Sequence, residues 1–288
     1  MTVWNLGSIN ADFVYSVPHI PEPGETLGST GRRLFLGGKG ANMSVAAARA
    51  GATVRHIGAV GEDGRWAIDR LKGYGVGTDD IAVIEVETAQ AIIMVDPQGE
   101  NSILLHHGAN FAVPFDRVQA ALAHARPGDW LVAQNETTLQ AETLALGKER
   151  GLRIAYAAAP FSARAVQDVL PLLDFLILND VEARQLQAAT GLAPADLPVA
   201  DVIVTRGGDG ATWFGAQGAV DIPPVLVTPV DTTGAGDTFT GYVLAGLDLG
   251  QDMADALSLA ARAGALMVTR HGTSDVIPTL EEVRAFRP

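Results

Sequence analysis

A chain of 288 residues with 48% hydrophobic and 18% charged side chains has enough apolar surface for a sizeable core and too little charge for disorder. Its formal net charge of -13, with no basic run along the chain, argues against nonspecific binding to nucleic acid or to an anionic membrane, which rests on clustered Lys and Arg. The absence of cysteine excludes thiolate catalysis, Cys-ligated zinc, iron-sulfur clusters and disulfides.

The N-terminal run Met1-Thr2-Val3-Trp4-Asn5-Leu6-Gly7 reads as a first strand and lacks a basic segment followed by a long apolar stretch. No later apolar run approaches the ~18 residues needed to span a bilayer, so the expectation is a cytoplasmic protein. Residues 10–35, rich in Pro, Gly and Thr, break the rhythm that follows. An Ala-rich helix is predicted over 41–50, a buried strand over 54–60 and a helix over 65–74, with Asp63 as its cap. A second excursion, 91–107, contains the hairpin turn Val95-Asp96-Pro97-Gln98-Gly99-Glu100. Its His106-His107 pair reads as structural, because adjacent residues on a strand point to opposite faces. Strands over 130–133, 153–157, 175–178 and 202–204 then alternate with helices over 139–150, 163–170 and 181–190, and two small-residue helices follow over 235–249 and 252–268.

Strand, helix, strand repeated in this way predicts an α/β fold with one doubly wound, mostly parallel sheet. The two excursions are predicted to form a small antiparallel flap that shields a reaction from water.

Three segments carry chemistry. In Asp231-Thr232-Thr233-Gly234-Ala235-Gly236-Asp237, consecutive small residues run straight into a helix. Backbone N–H groups there converge on an anion and the helix dipole adds its positive end. A carboxylate at Asp237 is placed to take a proton from an attacking hydroxyl; taken alone, the same residues also read as an ordinary capped helix start. Gly37-Gly38-Lys39-Gly40-Ala41-Asn42 is not a Walker A loop, since Lys39 is followed by Gly40, but its glycines let a polyol approach the backbone beside the Asn42 amide. Gly7-Ser8-Ile9-Asn10-Ala11-Asp12 ends the first strand with a carboxylate able to accept two hydrogen bonds from a vicinal diol.

With these in order, the chain resembles the PfkB family of carbohydrate kinases along nearly its whole length. Further matching pieces are Pro23-Gly24-Glu25-Thr26, Gly108-Ala109-Asn110, Gln134-Asn135-Glu136, Asn179-Asp180-Val181-Glu182, Thr205-Arg206-Gly207-Gly208-Asp209-Gly210 and Val268-Thr269-Arg270-His271-Gly272. The resemblance implies a single α/β domain over 1–288, with helices on both faces of the sheet and a small β-sheet lid formed by roughly 10–36 and 88–108. It implies Asp237 as catalytic base with Gly234, Ala235 and Gly236 as anion hole, and Asp12, Gly38, Lys39, Asn42 and Glu136 around the sugar. Asn179 and Glu182 would handle magnesium and phosphate, Glu182 indirectly, and Thr205, Arg206, Gly207, Gly208, Asp209 and Gly210, with Gly236, would carry the nucleotide. It further implies ATP and Mg2+, a monovalent cation (K+) at Asp231, Thr233, Arg270 and Gly272, and a homodimer formed through the lid.

Three departures stand out: Ala157-Ala158-Ala159-Pro160 where the family has Asn-Pro-Ala-Pro, Ala261 near the adenine side, and Val276 where a hydroxyl side chain is usual. The implied reaction is transfer of the ATP γ-phosphoryl to a primary hydroxyl of a pentose, D-ribose first. A nucleoside, a ketohexose or a keto-deoxy sugar acid are the alternative acceptors, with Phe13, Phe35 and Phe111 as candidate platforms for a nucleoside base. A noncatalytic sensor on the same scaffold is the alternative of another class; an NAD-dependent dehydrogenase fails, because no Gly-x-Gly-x-x-Gly follows the first strand.

Overall fold

The β-rich runs and Ala-rich stretches fold as predicted from their alternation; a computed structural model describes residues 1–287. Strands β1 (Thr2–Leu6), β4 (Thr53–Gly61), β5 (Ile81–Ile84), β8 (Trp130–Gln134), β9 (Arg153–Ala157), β10 (Phe175–Asn179), β11 (Asp201–Thr205), β12 (Ala211–Gly215) and β13 (Gly218–Ile222) make one sheet. Its order is β13-β12-β11-β10-β9-β8-β1-β4-β5, parallel except for β12 and β13. Parallel strands covered on both faces need continuous apolar runs, and Trp130 to Gln134 is buried at every position.

Two cores flank the sheet. On one face pack α1 (Lys39–Arg49), α2 (Arg65–Gly73), α7 (Ala235–Asp248), α8 (Met253–Met267) and α9 (Leu280–Ala285), through residues such as Met43, Leu71, Val243, Leu257 and Val283. On the other pack α3 (Phe115–Leu122), α4 (Gln140–Glu149), α5 (Ala163–Val169) and α6 (Asp180–Thr190), through Val118, Leu144, Val166 and Leu186. Strand β1 serves both, with Val3 facing the first core and Trp4 and Leu6 the second. The chain winds outward from β1 to β4 and β5, then returns to β8 on the other side of β1. In such sheets the crevice beyond the strand ends at this reversal is where ligands bind, and Gly7 and Glu136 follow the two strands that flank it.

A second sheet, ordered β3-β2-β6-β7, consists of β2 (Asn10–Ser16), β3 (Gly31–Gly37), β6 (Ala89–Val95) and β7 (Asn101–His106). It is mixed and not wholly antiparallel: β2 and β6 belong to separate excursions and meet in parallel. The predicted hairpin joins β6 to β7, with Asp96 Oδ1 accepting from the N–H groups of Gln98 (2.9 Å) and Glu100 (3.0 Å) and Gly99 at φ 85. Asp63 does not cap α2, correcting the sequence expectation. Its Oδ1 accepts from Thr88 N (3.0 Å) and Oγ1 (2.8 Å), tying the start of the 88–108 excursion to the end of β4.

Candidate active site

The segment after β1 and the start of α1 touch at two glycines. A Cβ on Gly40 would lie 2.3 Å from Gly7 Cα, and one on Gly7 would lie 2.5 Å from Gly40 Cα, so neither position accepts a side chain without the backbones parting. A buried polar network holds this crossing. Asn5 Nδ2 donates to Gly40 O (2.8 Å) and Ser44 Oγ (2.9 Å), and Gln134 Nε2 donates to Asn5 Oδ1 (2.7 Å). His56 Nε2 donates to Gly7 O (3.0 Å), which leaves Nδ1 to accept from Ser44 Oγ (2.9 Å); burial pushes the His56 imidazole down to about 4, so it works as a neutral ring.

Above the crossing, Asp12 stands on β2 with its carboxylate against Gly37, where a Cβ would lie 1.8 Å from Oδ2. The residue is 6% exposed, and its Oδ1 is buried with no hydrogen-bond partner among the described residues. Burial, then the charge of Glu136, pushes its pKa up to about 7 against the opposing pull of Lys39. Gly38 takes φ 93 to turn the chain into α1, so its Cβ-free face lies against Ser8 O. Glu136 Oε2 accepts from Ser8 Oγ (2.6 Å) and from the backbone N–H of Lys39 (3.1 Å), and Lys39 Nζ lies 3.9 Å from Glu136 Oε1. Asn110 donates to Asn10 Oδ1 (2.8 Å) and accepts from Ile9 N (3.0 Å), pinning the entrance to β2.

Asp237 lies in the first turn of α7, 7% exposed, and Asn42 Nδ2 donates to its Oδ2 at 2.9 Å. Burial raises its pKa; Lys39 and the Asn42 hydrogen bond oppose this, while Glu136 and Glu182 add to it. The Lys39 ammonium is in turn held above its ordinary value, by Asp237 first. Gly234 enters α7 at φ 75, where a Cβ would meet Met267 Cε at 2.9 Å. The Ala235 N–H is turned onto Thr232 O (3.3 Å), whereas the N–H groups of Gly234, Gly236 and Asp237 have no partner among the described residues. A Cβ built on Gly236 meets nothing within 4 Å. A helix start with open amides on its exposed face suits an anion.

The other predicted residues are distributed unevenly. Asn179 and Glu182 form a capping box at the start of α6: Glu182 N donates to Asn179 Oδ1 (2.9 Å) and Asn179 N to Glu182 Oε2 (2.7 Å). Thr205 ends β11, and Gly207 and Gly210 take φ 56 and 87 in the tight turn 206–210, with space beyond the Cα atoms of Gly207 and Gly208. The Arg206 guanidinium points back along the β12–β13 hairpin, onto Thr212 Oγ1 and Asp221 (3.3 Å). Asp231 accepts from Thr233 N (2.9 Å) and Gly272 N (3.2 Å), which joins the two segments expected to hold a cation. The Arg270 side chain is bound to Glu282 (2.7 Å) and Val276 O (3.3 Å), leaving only its backbone carbonyl for such a role. His106 pairs with Glu87 (3.1 Å) on the exposed sheet, and among the described residues no group of three or more His, Asp or Glu is disposed to hold a metal.

Residues 2–280 match the pfkB family of carbohydrate kinases. The chain belongs to that family. It is 35% identical to ribokinase of Haemophilus influenzae over 99% of this chain and 98% of that one. The ribokinase structure from Thermotoga maritima has a TM-score of 0.89 at 28% identity, covering 99% of this chain and 98% of that one. Arabidopsis thaliana ribokinase, complexed with ribose and ATP, has a TM-score of 0.87 at 25% identity, with 98% and 97% covered. Against this carbohydrate kinase frame, sequence reasoning missed Ser8, which holds Glu136, and Ser274, whose hydroxyl donates to Asn42 Oδ1 at 2.6 Å. Ser8 was within reach, as it lies inside a matched segment. Ser274 is 232 residues from its partner and carries no local signal.

Proposed function

We propose that this chain is an ATP-dependent kinase that phosphorylates the 5-hydroxyl of D-ribose, with Asp237 as general base. The observation that carries the reading is the buried Asp237 carboxylate, held by Asn42 in the same helical turn as the unpartnered amides of Gly234 and Gly236. Asp237 takes the proton of the primary hydroxyl as its oxygen attacks the γ-phosphorus, the bond from that phosphorus to the bridging oxygen breaks with ADP leaving in line, and the amides stabilise charge on the transferring phosphoryl group. Asp12, with a buried unpartnered oxygen, is the acceptor for sugar hydroxyls, and the Lys39 ammonium offsets the charges of Asp12, Glu136 and Asp237. Gly38, Asn42 and Glu136 complete the sugar side, and the turn 205–210 carries the nucleotide.

Glu182 has one carboxylate oxygen outside its capping box, which suits a magnesium ion bound chiefly to phosphates and water. Bound there, magnesium supplies neutralisation of phosphate charge. The carbonyls of Thr233, Arg270 and Gly272 accept no hydrogen bond among the described residues and lie in segments joined by Asp231, a donor set suited to potassium. Of the three aromatic residues considered for a nucleoside base, Phe13 lies under Arg32 (4.7 Å), Phe35 under Arg33 (5.4 Å), and Phe111 stacks on His107 (4.1 Å). One face of each ring is thus covered by a neighbouring side chain.

The test is ADP release from Mg-ATP with a panel of ribose, 2-deoxyribose, ketohexoses, nucleosides and sugar acids. Ribose is expected to give the fastest release; background release with every acceptor overturns the kinase reading, and a faster nucleoside overturns the acceptor.

The reading includes a homodimer formed through the four-stranded sheet and a cytoplasmic location, and among the described residues no helix is long and apolar enough to cross a membrane. Leu34, Ile92, Ile103, Leu104 and Leu105 leave that sheet with exposed apolar side chains, Leu104 at 65%. Sedimentation should give a dimer for the parent and a monomer for Leu104→Glu; a parent monomer at micromolar concentration rejects the pairing.

A further inference from the structure

Ser274 is fully buried in the short turn that follows the 268–272 segment, and the reaction as read above makes no use of it. Its hydroxyl donates to Asn42 Oδ1 (2.6 Å), and the other end of the same amide donates to Asp237 Oδ2 (2.9 Å). All three side chains are shielded from water, with Asn42 4% and Asp237 7% exposed. The turn itself is anchored on both sides: Thr273 Oγ1 donates to Leu36 O (2.8 Å), and Gly272 N donates to Asp231 Oδ2 (3.2 Å). A continuous chain of hydrogen bonds thus runs from the 268–276 loop through α1 to the first turn of α7.

We propose that Ser274 is a positioning residue for phosphoryl transfer, acting through Asn42 to present an amide N–H to Asp237.

An amide has a donating and an accepting end, and only the donating end suits an ionised carboxylate. With the Asn42 carbonyl engaged by the serine hydroxyl, the N–H end faces Asp237 and its hydrogen bond is polarised along the chain. Without the hydroxyl, the Asn42 carbonyl is a buried acceptor with no partner. The side chain then rotates toward another donor, or turns its oxygen toward Asp237, where it repels the carboxylate and accepts from the protonated acid. Both outcomes favour the protonated form of Asp237, the form unable to act as a base. The charged groups facing Asp237 are Lys39 at the start of α1, Glu136 after β8 and Glu182 at the start of α6. None of them touches Ser274, so its removal leaves their contributions in place.

The inference rests on Asp237 being the base, and the experiment separates the two. The turnover number is measured from pH 5 to 9 at saturating ribose and Mg-ATP for the parent, Ser274→Ala, Ser274→Thr, Asn42→Ala and the double variant Ser274→Ala/Asn42→Ala. In Ser274→Ala the acid limb should move upward by roughly half to one pH unit, with a loss of about 3- to 10-fold below the limb that recovers at alkaline pH. Ser274→Thr, which keeps the hydroxyl, should retain the parent limb. Asn42→Ala should shift the limb at least as far as Ser274→Ala does, and adding Ser274→Ala to it should shift it no further. A uniform loss across the whole pH range, with the limb unmoved, overturns the inference, as does an additive shift in the double variant. Asp237→Asn decides the underlying assignment independently: if it is inactive while the Ser274→Ala limb stays put, the inference alone fails; if it remains active, the assignment of the base fails.

Discussion

Asp237→Asn is expected to fold, to bind sugar with near-parent affinity, and to turn over more slowly by a factor on the order of 10² to 10⁴, the range spanned by loss of a positioned general base. Asparagine has the size of aspartate and still offers an oxygen to Asn42 Nδ2, so the contact at 2.9 Å survives. What disappears is the ability to take a proton. Removing a carboxylate that burial already disfavours also leaves the fold no weaker, so thermal unfolding should occur at or above the parent temperature. The parent's turnover should fall with decreasing pH, because protonation inactivates the base, and burial places that limb above the usual carboxylate range. The residual activity of the variant should lack the limb. Steady-state ADP release together with calorimetric sugar binding measures both quantities. Turnover within about fivefold of the parent assigns the base elsewhere, since such a loss is smaller than general-base catalysis supplies.

The sheet was legible in the sequence because parallel strands buried on both faces advertise themselves as short apolar runs. The strand predicted over 153–157 is β9 residue for residue, and the helix predicted over 65–74 differs from α2 by one residue at its end. The hairpin at Asp96 was legible for a local reason, since an Asp side chain and a later glycine satisfy the turn by themselves. The β12–β13 hairpin was not, because Ala216-Gln217 lacks the usual turn residues and only Gly218, at φ 101, marks it. Asn179 and Glu182 show how one spacing supports two readings. Three residues apart at a helix start, they suit phosphate or metal handling, yet the same spacing is that of a capping box, and the cap is what the side chains make. Asp12, Asn42 and Asp237 were found as members of motifs; their mutual geometry was not, because it depends on contacts between α1 and α7 nearly two hundred residues apart, at 195 for Asn42 and Asp237. Ser274 lay further beyond reach, since a serine in a turn is common and only the folded chain brings it to Asn42.

Asp12→Asn should separate stability from function. In the parent, Asp12 is a carboxylate with one buried oxygen unpartnered and a pKa raised from 3.8 to about 7, chiefly by burial. A group whose proton affinity is higher in the folded than in the unfolded chain contributes stability in full below the unfolded pKa and loses it as pH rises through the folded one. For Asp12 that window runs from about pH 4 to about pH 7. Ionised Asp12 therefore burdens the sugar-free protein above neutrality by on the order of 2–4 kcal/mol. The asparagine variant carries no such burden. Its unfolding temperature should match the parent's near pH 4 and exceed it by roughly 4–8 °C at pH 8. Sugar binding should move the other way, weakening by about 10²-fold or more, because a carboxylate accepting hydroxyl donors makes the strongest of neutral-ligand hydrogen bonds. For the same reason the parent's KM for sugar should rise as pH falls through about 7, the range in which Asp12 takes up its proton. Thermal unfolding from pH 4 to 9 and sugar titrations at pH 8 check the two halves separately. An Asp12→Asn protein less stable than the parent at pH 8 would show that the carboxylate is satisfied in the folded chain, and undiminished affinity would place the sugar elsewhere. Stability gained together with affinity lost is what a buried acceptor kept unpartnered for its substrate requires.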